Sequence, residues 1–312
     1  MNLLLIILKC QIKIVKKITL ISAIIITGIL VWYLILKPYD YLVSFKVKTF
    51  SGTINQTIKT WSLSLDNSSI IEQKNINNLT QKIIFNDTTY FYKWKIISLN
   101  DSTSKVKVYI KDKNHSLKNR ITFPFSNTDF EKRTKNTLVD FNKKLNEHIK
   151  SFKVTIEGVS EIKPAYCAYI PIRSTQLGKA KGMMRNFNLL SSFILKNKIS
   201  LNGKPMVEIT YWNMDNDSIH FNFCYPIIKN DSLPTADIIK YKNIKNKKAL
   251  KAIYNGNYIS SDRAWYALID YAKNNNIKIE KKPIEIFYNN PNMGGNALKW
   301  KAEIFLPINK TK

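Results

Sequence analysis

The most apolar stretch of the chain runs from Ile18 to Leu36, ITLISAIIITGILVWYLIL, nineteen residues without a charge. At ~1.5 Å rise per residue such a helix just crosses a ~30 Å hydrocarbon core. Lys9, Lys13, Lys16 and Lys17 precede it, and Trp32 and Tyr33 sit near its far end. That arrangement predicts a basic segment and one transmembrane helix over residues 1–37, with the lysine cluster retained in the cytoplasm and Lys37 onward outside. The rival reading, a cleaved signal peptide, calls for a shorter apolar core and a small-residue cleavage site, which is not evident after Leu36.

Beyond the anchor the pattern changes period twice. Tyr41–Phe50 alternates like a strand, and Ser51-Gly52-Thr53 opens a helix carrying Ile54, Ile58 and Trp61. Strand-like runs follow at 81–85, 89–99, 105–110 and 119–125. From Thr128 the spacing becomes helical, with Phe130, Leu138, Phe141, Leu145, Ile149 and Phe152 on one face. The order strand, helix, meander, long helix delimits a first domain over 40–152.

The second half, 153–312, repeats itself. Arg185-Asn186-Phe187 corresponds to Arg263-Ala264-Trp265 at an offset of 78, as do Leu190 and Leu268, Phe193 and Tyr271, and Lys204-Pro205 and Lys282-Pro283. Dropping one residue then aligns Val207-Glu208-Ile209 with Ile284-Glu285-Ile286. Each copy, 155–227 and 240–308, reads strand, helix, strand, strand, and closes on a Pro-Ile pair. The leading strands are expected at 165–172 and 249–255, the helices at 177–197 and 260–275, and Ser260 or Ser261 as N-cap of the second helix. The fold class expected is α+β, with a groove between the two helices over a shared sheet.

Composition narrows the function. Forty-nine Lys and Arg against 22 Asp and Glu give a formal charge of +27, but only five are Arg and the lysines are spread along the chain. A solvated lysine surface accounts for this, and no helix-turn-helix, zinc-finger or RNA-binding signature supports nucleic acid as a partner. Cys10, Cys167 and Cys224 fit no metal spacing, and Cys167 and Cys224 read as buried thiols, with a bridge between them left open. His115, His148 and His220 are isolated from one another, so no metal site is expected. Gly294-Gly295 reads as a turn, and no nucleophile elbow is legible.

Two resemblances bear on these segments. Pro38-Tyr39-Asp40-Tyr41, the strand after it and the Trp-containing helix resemble membrane-tethered members of the START-like, helix-grip (SRPBCC) group, which implies a curved sheet wrapped around the long helix. Gly256-Asn257-Tyr258, the helix with Trp265 and Leu268, Pro283 to Pro291 and the closing Phe305-Leu306-Pro307-Ile308 resemble the gyrase-inhibitor-like (GyrI-like) effector-binding domain, also found behind DNA-binding modules in transcription activators. That resemblance implies binding of diverse small molecules, often cationic and aromatic; a few relatives are hydrolases. No DNA-binding module precedes the domain here, so the transcriptional role is not carried over.

Acids are scarce in this chain, so Glu285 and Glu208, each between apolar strand residues, are the candidate ligand-binding carboxylates. Facing an apolar pocket they would attract an organic cation; facing water they would be ordinary strand residues. The resemblance favours Glu285 in the pocket. Trp265, Tyr271, Phe187 and Phe193 either pack the core or line that pocket. Tyr211 and Tyr288 fall on the strand face opposite each Glu and are expected to be structural. The leading expectation is a membrane-anchored, non-catalytic protein that senses or sequesters a small amphipathic ligand, needs no cofactor and sits on the outer, periplasmic side of the inner membrane. The alternatives are a hydrolase with Glu285 as general base and a structural or partner-binding module with a vestigial pocket. The topology is checked by a C-terminal reporter fusion, which should be active only outside the cytoplasm; cytoplasmic activity would overturn it.

Overall fold

The computed structural model describes residues 2–86, 88–100, 102–126 and 128–309, with side chains described from residue 12 onward, so the side chains of Lys9 and Cys10 lie outside the described residues. The chain is α+β, built on two antiparallel sheets. Helix α1 (Asn2–Val31) runs into a wider final turn over Trp32–Leu36, and residues 12–36 form one helical stretch long and apolar enough to cross a membrane, none of it buried and only Tyr33 and Leu34 partly covered.

The first sheet is a five-stranded meander, β1 (Tyr41–Val47), β2 (Ser68–Asn75), β3 (Asn78–Phe85), β4 (Thr88–Asn100) and β5 (Thr103–Asp112), in the order β1-β5-β4-β3-β2. Helices α2 (Ser51–Leu63) and α4 (Asp129–Lys150) pack on one face of it. Alternation along β5 buries Val106, Val108 and Ile110 on that face. The α4 start is fixed by Thr128, whose side chain accepts from the Glu131 backbone N–H, with Asp129 and Glu131 in the first turn. Phe141 of α4 stacks tilted on Trp94 at 4.7 Å and meets Trp61 at 5.2 Å. Both indoles keep a polar partner, Asp140 for Trp61 and Gln81 for Trp94. The expected strand over 119–125 is instead part of a short helix, α3 (Ser116–Thr122). Its β-like composition is overridden by side-chain bonds: Arg120 reaches Asp40, and Asn119 reaches Asp112.

The second sheet has eight strands in the order β10-β7-β9-β8-β12-β13-β11-β6. These are β6 (Phe152–Ile162), β7 (Ala165–Thr175), β8 (Met206–Trp212), β9 (Ser218–Pro226), β10 (Lys240–Ile244), β11 (Lys247–Gly256), β12 (Ile284–Phe287) and β13 (Lys301–Pro307), with α5 (Lys179–Lys196) after β7 and α6 (Arg263–Asn274) after β11. The order is symmetric about the β8–β12 seam. β6 pairs with β11 of the second copy, and β10, which leads into that copy, pairs with β7 of the first. The two copies thus exchange their outermost strands.

The symmetry corrects the alignment of the copies. Ile209 N–H donates to Pro283 O at 2.9 Å, and Phe287 N–H donates to Pro205 O at 3.0 Å. These are one bond repeated at the offset of 78, with no residue dropped. Lys198 and Asn276, again 78 apart, are the left-handed residues that end α5 and α6, at φ 53° and 55°. The structural counterpart of Glu285 is therefore Val207, its partner across the seam. Glu208 is one residue out, and a one-residue slip turns a strand residue to the other face of the sheet.

The two sheets are joined through α2 and α6. Gly52 lies against the ring of Tyr266, where an added Cβ would sit 2.1 Å from the ring carbon Cγ, so a side chain at 52 cannot fit without separating the helices. The Tyr266 hydroxyl accepts from Gln56 of α2 and from Gln176, and Lys59 pairs with Asp217. At the end of α4, His148 Nε2 accepts from Arg263 Nε at 3.1 Å. Burial, reinforced by the Arg263 charge, lowers the His148 pKa from 6.5 to about 4. Between those values the unfolded chain binds the proton and the folded chain does not, so stability rises with pH across that window and is lost on acidification. Unfolding by urea should lose up to about 3 kcal/mol between pH 7 and pH 4 from this group, and His148→Gln should flatten that part of the profile. An unchanged slope in the variant would contradict the assignment.

Candidate functional site

Glu285 projects from β12 toward the helices and is completely buried. Lys179, the first residue of α5, is equally buried, and its ammonium lies 2.6 Å from each carboxylate oxygen. Ser261 Oγ sits 2.7 Å from that ammonium and 3.1 Å from either oxygen. Trp265 Nε1 donates to Glu285 Oε1 at 2.7 Å, and the Lys179 ammonium stands 4.7 Å from the centroid of its ring. Burial pushes the Glu285 pKa up, opposed by the Lys179 charge and by its hydrogen bonds. Glu285 and Trp265 are brought together, but not in the open apolar pocket expected from the sequence: the carboxylate faces the chain's own cation, and its oxygens are engaged by Lys179, Ser261 and Trp265. Glu285 is buried, paired with Lys179 and does not border the cleft described below, so the geometry does not favour it as a general base.

The other sequence candidates separate. Glu208 lies on the opposite sheet face, bonded to Lys242 at 2.6 Å and to Asn222 at 2.7 Å, and borders a hollow of about 190 Å³. Trp265 is a core residue, edge-on to Trp212 at 5.0 Å. Phe193 and Tyr271 are half-buried against the core. Of the six, only Phe187 borders the large cleft described next. Cys167 and Cys224 are free, buried thiols beneath the sheet. Asp262, not Ser260 or Ser261, stands at the N-cap position of α6, and its carboxylate takes Arg263 and Gln176 instead of the helix N–H groups.

That cleft, about 560 Å³, opens between α5 and the loop after β12. Met183, Met184 and Phe187 form the α5 wall, and Phe223, Tyr225 and Phe287 rise from the sheet. Tyr258 and Trp300 close the far side, with Tyr258 4.7 Å from Phe287 and 5.8 Å from Trp300. The Tyr258 hydroxyl is used structurally, donating to Lys301 O at 2.8 Å and accepting from Asn289 N. Polar lining comes from asparagines 257, 289, 290 and 292, and Lys204 is the single charged residue bordering the cleft among the described residues. Tyr288 also borders it and is 40% exposed, which corrects its expected structural role. β12 ends at Phe287, so strand alternation no longer fixes the direction of Tyr288.

Sequence reasoning missed Lys179 and the two methionines. One signal for Lys179 was present: a cation in the first turn of a helix opposes the macrodipole and needs a strong partner. A second, more polar hollow of about 330 Å³ lies between the two units, bordered by Gln56, His148, Asp262 and Arg263. It shares Asn257 and Ile259 with the cleft.

Residues 174–309 match the family described as the GyrI-like small molecule binding domain, so the chain carries a GyrI-like domain over that range. No curated protein matches the chain. Among solved structures, the EcmrR C-terminal domain is 16% identical with a TM-score of 0.43, covering 51% of this chain and 99% of that one. SAV2435 bound to tetraphenylphosphonium is 13% identical with a TM-score of 0.37, covering 50% and 94%. A hydrolase from Listeria innocua is 10% identical with a TM-score of 0.34, covering 53% and 98%.

The buried pair yields a direct test. Lys179→Met should destabilise the fold by roughly 3–5 kcal/mol, because it strands a buried carboxylate. Adding Glu285→Gln should recover most of that loss, since the amide oxygen still accepts from Trp265. Denaturation of the single and double variants checks this; additive losses would mean the pair is not coupled.

Proposed function

We propose that this chain is a membrane-anchored, non-catalytic binding protein whose GyrI-like domain takes a small, apolar, aromatic ligand without a positive charge. The observation that carries the reading is the lining of the 560 Å³ cleft: methionine and aromatic side chains, asparagine amides and Lys204, with no carboxylate among the described residues. Thioethers and rings adapt to varied apolar shapes, and a few amides orient a ligand by hydrogen bonds. A cation placed there would lose its hydration with no counter-charge, beside a lysine. The cationic ligand expected from the sequence depended on Glu285, and that carboxylate is already neutralised by Lys179.

In this reading, residues 12–36 hold the protein in the inner membrane with both folded units on the outer side, as the preceding lysines favour. The first unit, START-like in its expected architecture, is a packed companion to the binding domain. Ile259 and Asn257 border both the cleft and the hollow between the units, which gives ligand binding a route to the inter-unit contact.

Photolabelling with a neutral aromatic diazirine, mapped by mass spectrometry, tests the assignment without interference from membrane partitioning. Labels should concentrate on Met184, Tyr288 and their neighbours, and Phe187→Ala should weaken labelling roughly tenfold through lost apolar contact. A quaternary-ammonium version of the probe should label the cleft less. Labels scattered according to surface exposure, or preferred labelling by the cation, would refute it.

A further inference from the structure

Helix α3 carries apolar side chains on the wrong side for a soluble domain. Its Asn119 and Arg120 face inward and are buried, whereas Leu117 and Ile121, one turn apart, are 53% and 50% exposed. Phe125, in the turn that follows, is 87% exposed. Leu117 and Ile121, four residues apart, share one side of the helix, and Phe125 adds a third exposed apolar side chain just beyond its end. Lys113 and Lys118 are exposed beside them.

The position of α3 is set by Arg120. Its Nη1 donates to Leu34 O at 3.0 Å and Tyr33 O at 3.3 Å, and its Nη2 donates to Lys37 O at 2.6 Å. Its Nε donates to Asp40 Oδ1 at 2.7 Å, and both side chains are almost fully buried. The Tyr33 hydroxyl returns a bond to Arg120 O at 3.3 Å. A guanidinium thus satisfies two carbonyls of the last turn of the apolar helix and that of the residue capping it. These bonds hold α3 at the level where the chain leaves the apolar span, beside Trp32 and Tyr33.

We propose that Leu117, Ile121 and Phe125 form a second membrane contact, a foot that enters the headgroup–acyl boundary beside the anchor. The inference rests on residues 12–36 spanning a bilayer. The occupant is lipid because the stripe is continuous with that span and is clamped to its end. Any protein bound there would have to displace headgroups. Lys113 and Lys118 suit the phosphates above the foot, as on other interfacial helices. The clamp and the foot together fix the tilt of both folded units against the membrane.

The test uses the full chain with Cys10→Ser, which leaves only the buried Cys167 and Cys224, and one new thiol, Phe125→Cys or Lys273→Cys as control. Each is labelled with an environment-sensitive dye and reconstituted in phosphatidylcholine–phosphatidylglycerol vesicles. Because Phe125 is mostly exposed, the substitution leaves packing intact. Shallow spin-labelled lipids should quench the dye at 125 about twofold more than at 273, as expected at the headgroup boundary, while aqueous iodide quenches it less. A dye at 125 quenched by iodide as strongly as at 273 overturns the foot. Shielding from both quenchers also overturns it and indicates a protein contact. Alkaline extraction and flotation of the same samples separates the two readings: chain that fails to float means the span itself is wrong.

Discussion

Three residue pairs across the β8–β12 seam, Met206 with Ile286, Val207 with Glu285 and Glu208 with Ile284, determine the chemistry of the binding domain. Residues opposite each other in an antiparallel pair point to the same face. The seam therefore sends Glu285 and Val207 toward the helices and Glu208 away from them. Once Glu285 is buried under α5 and α6, a bare carboxylate is too costly to keep, and Lys179 from the start of α5 supplies the opposite charge. With Val207 at the matching position, the first copy buries no such charge. The two copies share a backbone plan and differ in what that plan encloses.

The long periodic elements were legible from the chain: α4, α5 and α6, and the strands on either side of α5 and α6, appear where the spacing of apolar residues places them. The duplication was legible too, because the offset of 78 recurs over helix and strand alike. The strands β2, β6 and β10 were not, since each carries charged or polar residues on an exposed face or edge and lacks a clear apolar run. Helix α3 was misread because Ile121, Thr122 and Phe123 favour strands locally, while Asp40 and Asp112, distant in sequence, decide the outcome. The error at Glu208 has a similar origin. An alignment judged by residue similarity prefers to match two glutamates, whereas the pleat requires an even shift. Lys179 was hidden by composition, one lysine among many.

The apolar cleft and the buried ion pair are neighbours with separate tasks. Lys179 and Ala180 are adjacent in α5, yet the lysine side chain turns into the core and Ala180 borders the cleft. Charge is thereby satisfied inside the domain, and the cleft is left to shape and apolar contact. Selectivity in such a site comes from volume and from the asparagine amides of the 289–292 loop, a softer filter than a charged anchor.

The exchange of β6 and β10 between the copies bears on how the chain reaches its native state. β6 is completed at Ile162, but its partner β11 extends to Gly256, so the early strand has no ladder until the rest of the first copy and the leading strands of the second exist. Pairings this distant in sequence slow folding, because the intervening loop must be closed before any contact is gained. Meanwhile β6 presents an unpaired edge that another copy of the chain could occupy. The first unit ends at Lys150, directly before β6, and its five strands pair only among themselves. Its sheet therefore needs no strand from the second copy, whereas that of the binding domain does.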